Sequence, residues 1–173
     1  MCFPTIGAFY GGPVWAAHRG TANPTMLDSD NVLLLRPAWA GAALRTAGGR
    51  AAADAVALPR GLLHAFVLPL HEPGGPALQA FCRGPLSEAL RAAGAQPLGW
   101  YATEPAPNNF PRLPVREGEQ VLVGLAMFDD AAGHAAFAAS VWPRDIAPAL
   151  APWLAGAVQA LRLAPTARSA LHG

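Results

Sequence analysis

The order of hydrophobic periods between residues 61 and 169 restricts the fold of this 173-residue chain more than any other feature. Four short, nearly continuous apolar stretches, "LLHAFVLPL", "PLGWYATE", "QVLVGLAMF" and "AVQALRLA", read as strands. Between the first two, "GPALQAFCRGPLSEALRAAGA" sets Leu78, Phe81, Cys82, Leu86 and Leu90 near helical spacing, with a break at Gly84-Pro85 and a stop at Gly94. The Pro-rich loop "PAPNNFPRLPVREGE" separates the second and third strands. After the third, Asp129 or Asp130 caps the helix "DDAAGHAAFAASV", and Pro143 interrupts it before another helical piece through Leu154.

The order β-α-β-β-α-β predicts an α+β, ferredoxin-like fold: four antiparallel strands with both helices on one face. Residues 61–169 are then one complete repeat. The start of the chain reads as part of another. Pro13 suits a first helical turn, while Gly20 and Pro24 keep that helix short. The turn Asp28-Ser29-Asp30-Asn31 leads into Val32-Leu33-Leu34-Leu35, a run expected to be a strand covered on both faces, ending at Pro37. Val14-Trp15 recurs as Val141-Trp142, Arg36 as Arg162 and Pro37 as Pro165, in the same order and at nearly the same separation. Residues 1–37 therefore read as the C-terminal remnant, helix plus strand, of a first repeat that lacks its beginning. Residues 38–60, dominated by Ala, Gly and single Arg, read as a linker.

Composition removes several function classes. Hydrophobic residues make up 53% and charged residues 13%, which favours a packed core over disorder. A net charge of +1 gives no stripe for nucleic acid. All twelve basic residues are Arg, scattered singly, a pattern that reads as compositional bias and not as a phosphate site. Cys2 and Cys82 fit neither a zinc site nor a redox pair and read as small apolar fillers. "MCFPTIGAF" lacks the form of a signal peptide, and Pro148, Pro152 and Arg162 spoil the most apolar late stretch as a membrane span, so a soluble, cytoplasmic protein is expected.

Three segments carry a family resemblance. "FYGGPVWAAHRGTANPTMLDSDNVLLLRPA" resembles the end of the first half of bacterial NIPSNAP-family proteins, and "EPAPNNFPRLPVREGEQVLVGLAMF" and "LRLAPTARS" are similar to later parts of the same family. The resemblance implies tandem ferredoxin-like repeats of the dimeric α/β-barrel type, in which two sheets face each other. Strand 32–36 would pair in a complete repeat with that repeat's missing first strand, so it is expected to pair with the second repeat, to pair with a partner chain or to be disordered, and this motivates a homodimer or higher oligomer. The chain departs from the family in lacking the opening elements of the first repeat and in carrying Gly20 and Pro24 within its helix. The resemblance brings no settled activity, since bacterial members have none.

Candidates for chemistry are few. His64 is a titratable group in a strand with two apolar faces, where it reads either as a base or ligand-orienting group, or as a satisfied core histidine. Tyr101 offers a hydroxyl to a cavity or packs amphipathically. In the loop Asn108-Asn109-Phe110-Pro111-Arg112, Asn109 and Arg112 could recognise a small carbonyl or carboxylate ligand, or could simply build a turn. Gly124 and Ala126 withdraw bulk in mid-strand, either opening a cavity or admitting a close neighbour. His18 and His134 have no second ligand at helical spacing, so no metal is expected, and no cofactor-binding loop is present. The expected role is a non-catalytic binding or assembly module that oligomerises through its sheets. The alternative is a cofactor-independent monooxygenase or isomerase with His64 as base and Tyr101 or Arg112 polarising the substrate in the inter-sheet cavity.

Overall fold

A computed structural model describes residues 3–28, 31–46, 49–109 and 113–171. Cys2 and Arg112 lie outside the described residues. The chain divides into two compact units: residues 1–34 with 104–118, and residues 35–103 with 119–173.

The first unit carries helices α1 (Phe3–Tyr10) and α2 (Pro13–Ala22). Pro13 occupies the first turn of α2, where its missing N–H costs nothing, and the chain tightens into a 3₁₀ turn, Asn23–Thr25, around Pro24. Phe9, Tyr10 and Trp15 cluster with ring centroids 5.0–5.5 Å apart. The apolar run starting at Val32 is not a strand from its first residue. The Val32 carbonyl accepts from the Arg116 N–H and the Leu34 carbonyl from the Glu104 N–H, so these residues are held by loop backbone.

The second unit holds a five-stranded, all-antiparallel sheet in the order β1-β3-β4-β2-β5. The strands are β1 (Leu35–Pro37), β2 (Leu62–Pro69), β3 (Ala95–Thr103), β4 (Val121–Phe128) and β5 (Gln159–Leu163). β2 and β4 pair along their whole length, from Leu62↔Phe128 to Pro69↔Val121. β1 pairs with β3, Leu35 facing Thr103. Its residues Arg36 and Pro37 are exposed, which corrects the expectation of a strand covered on both faces. β1 is an edge strand, and an edge is where a proline without a donor is tolerated.

Helical segments link the strands. Residues 76–92 begin as α3 (Pro76–Phe81), widen into a π-helical turn (Cys82–Leu86), and continue as α4 (Ser87–Ala92). The widening accommodates Pro85, which has no N–H to give the preceding turn. The buried Ser87 hydroxyl donates to the Cys82 carbonyl at 2.6 Å within the widened turn. Gly94, at φ +77°, then ends the helix as the sequence predicts. After β4, Asp130 caps α5 (Ala131–Ala136) by accepting from the Gly133 N–H at 2.8 Å. Pro143 lies in a longer π-helical stretch, Phe137–Ile146, before the short α6 (Ala147–Leu150).

Alternation along the strands divides the sheet into two faces. Phe66, Leu68, Trp100, Leu122, Ala126 and Phe128 point to one face, where they meet Leu78, Cys82, Leu86, Leu90, Phe137, Ile146 and Leu150 from the helices. Each large side chain fully buried there is worth roughly 1.5–3 kcal/mol, so this layer dominates the stability of the unit. Cys82 is wholly enclosed, and burial pushes its thiol pKa up to about 12. It is the apolar filler that the sequence suggests. Residues 38–44, expected to be linker, are partly ordered along β3: Trp100 N–H donates to the Ala42 carbonyl, and Trp39 packs against the core under Arg83.

Candidate functional site

His64 belongs to the helix-covered face. In the strand register it sits beside Ala126 of β4 and Arg162 of β5. α5 starts only two residues after β4 ends, so its first inward-facing side chain falls back over the start of β2. That side chain is His134. Its Nε2 lies 2.8 Å from His64 Nδ1, and both rings are buried, at 4% and 6% exposure. Phe66, Phe128, Phe137 and Trp142 surround His64, with ring centroids within 6.5 Å.

One proton is shared between the facing nitrogens, and the other nitrogen of His64, Nε2, has no hydrogen-bond partner among the described residues. Adding a second proton would place a charge in this aromatic shell. Burial, and then the neighbouring His134, bring the His64 pKa down from 6.5 to about 4. Burial, and then the Arg162 guanidinium, lower that of His134. Both rings are therefore neutral at physiological pH.

Tyr101 points the other way. It pairs with Val123 of β4 on the face opposite His64, and its hydroxyl accepts the Leu44 N–H at 2.9 Å. His64 and Tyr101 are thus separated by the sheet and share no cavity. Asn109 is exposed and belongs to the first unit, where the neighbouring Asn108 amide donates to the Leu113 carbonyl at 2.7 Å. These positions give no support to a reaction in which His64 takes a proton while Tyr101 polarises the same substrate. Gly124 does not open a cavity either, because the rings of Phe66 and Trp100 fill the space beside it. Among the described residues no three His, Cys, Asp or Glu side chains converge as metal ligands.

Two features of the opposite face carry more promise. Leu63 of β2 has Met127 and Leu163 as its cross-strand neighbours, and the three form the floor of a groove of about 550 Å³. One wall comes from Thr46 and Arg50, the other from residues 164–171. Arg168 Nε donates to the Ala51 carbonyl at 3.3 Å and ties the walls together. The second feature is β5 itself. All five of its residues are exposed, Leu161 at 49% and Leu163 at 46%, and its outer edge pairs with no described strand.

Sequence reasoning found His64 but not its partner. The signal for His134 was available in the two-residue link after the third strand, which folds the helix straight back. For the groove there was none, since Arg50 and Arg168 come from segments without periodicity. No helix among the described residues is long and apolar enough to cross a membrane. No family model matches the chain, and neither a curated protein nor a solved structure matches it at a significant level.

Proposed function

We propose that the chain is a NIPSNAP-like protein whose residues 61–169 form a ferredoxin-like repeat of the dimeric α/β-barrel type. In this reading it acts as a non-catalytic, cytoplasmic assembly or binding module that self-associates through its sheet. The strand order β5-β2-β4-β3 with helical segments on one face supports the repeat. The observation that carries the assembly reading is the free edge of β5. An unpaired edge presents a row of backbone donors and acceptors, and proteins usually protect it with Lys, Pro or a covering loop. β5 has no Pro, carries a single charge at Arg162, and exposes two leucines on one face.

The motive for self-association differs from the sequence expectation. There strand 32–36, without its own repeat's first strand, had to pair with the second repeat, with a partner chain or with nothing, and β1 takes the first course by pairing with β3. β5 takes over that role. If two β5 strands pair antiparallel about Leu161, Leu163 faces the partner's Gln159, and Arg162 faces Ala160. No like charges are opposed, and the leucines share one face.

Light scattering with size-exclusion chromatography tests the proposal. The wild-type chain is expected to run as a dimer, and Leu161→Lys, which puts a charge on an already exposed position, to run as a monomer that keeps the wild-type circular dichroism spectrum. A monomeric wild type, or a dimer indifferent to Leu161→Lys, would refute it.

A further inference from the structure

The groove over Leu63, Met127 and Leu163 has the composition of a ligand site and not of a plain protein contact. Its floor is apolar and built on three neighbouring strands, the most rigid support in the unit. Its walls bring two guanidinium groups, Arg50 and Arg168, and among the described residues no Asp or Glu lines it. Arg168 is oriented by its bond to Ala51, and neither arginine makes an ion pair with a described carboxylate. Its volume falls within the range of roughly 300–1,000 Å³ common for small-molecule sites. A positive rim beside a walled apolar floor selects a ligand with a negative head and an apolar body. Guanidinium forks match a carboxylate in geometry as well as charge.

We infer that this groove binds an aliphatic monocarboxylate. The chain lies along Leu63, Met127 and Leu163, and Arg50 and Arg168 hold the carboxylate. A neutral alcohol of the same length keeps the floor contacts but leaves the guanidinium groups without an anion. A short carboxylate keeps the head and loses the floor. Both halves are needed for tight binding.

Titration calorimetry on the full chain separates these contributions, with decanoate, decanol and acetate as probes. Decanoate is expected to bind in a 1:1 ratio, with decanol and acetate each weaker by about tenfold or more. Arg50→Gln combined with Arg168→Gln should weaken decanoate by about tenfold and leave decanol unchanged. Both arginines are exposed, so the double variant should keep the wild-type melting temperature. Decanol binding as tightly as decanoate, no measurable decanoate binding, or indifference to the double substitution would each overturn the assignment. Because Leu163 belongs both to the groove floor and to β5, the scattering experiment is run on the same samples, so that loss of decanoate binding is distinguished from a change of oligomeric state.

Discussion

A proton is the smallest probe of the His64–His134 contact. In the unfolded chain both imidazoles take up protons near their ordinary pKa of 6.5, whereas His64 in the folded chain does so only near 4. Between those values the unfolded state binds more protons, so stability is complete above about pH 6.5 and drains away as pH falls toward 4. The loss should be on the order of 3 kcal/mol for a shift of this size. Melting temperatures measured from pH 7 to pH 4 should fall, and His64→Leu, which removes the buried titrating ring, should flatten the slope. An equally steep slope in that variant would place the acid sensitivity elsewhere. The position of His64 was legible only in part. Two apolar faces around it said that it was buried, but "LLHAFVLPL" is apolar on both sides, so nothing local told the helix side from the other. The distant His134 settles the matter through contact, a quantity that periodicity does not encode.

Strands and helices were more legible than their environments. The alternation of β and α from Leu62 to Leu163 was readable because each strand is a compact apolar run and each break carries Gly, Pro or Asp. The prolines at 85 and 143 were read as interruptions, yet the chain widens into π turns there and continues, since tertiary packing of Leu86 and Phe137 holds the helical course. β4 shows what packing adds. Gly124 pairs with Phe66 on one side and Trp100 on the other, and both rings lean over it. A Cβ at this position would stand 2.7 Å from Trp100 Cζ3 and closer still to the Phe66 ring. Gly124→Ala should therefore destabilise the sheet by roughly 1–3 kcal/mol despite the gain in strand propensity. Urea denaturation with the m-value held constant would measure this. A neutral or stabilising result would mean that the two rings repack freely.

At the scale of the whole molecule, the division into units does not follow the order of the chain. The loop after β3 belongs with the N-terminal helices, while β1 belongs to the main sheet. Sequence reading grouped residues 1–37 by the recurrence of Val14-Trp15, Arg36 and Pro37 later in the chain, and such matches carry no information about which distant backbone will complete a ladder. The segment after β1 shows the same division. Trp39 and Ala42 are anchored beside β3, whereas Val56 and Leu58 are exposed at 87% and 75%. An exposed stretch of this kind is a ready protease substrate, and Arg60 sits at its end. Brief trypsin treatment should cut at Arg50 or Arg60 and leave an N-terminal and a C-terminal fragment. Native mass spectrometry should find them travelling together until denaturant is added. Separation straight after the cut would show that the β1–β3 ladder and the Trp39 anchor are too weak to hold the pieces. The pairing of Leu35–Pro37 with Tyr101–Thr103 also sets a timetable for synthesis. A ribosome that has already released the first of these strands must translate on through the second before the early piece has anything to grip. Until then, Leu35–Pro37 waits for a seat that has yet to be made.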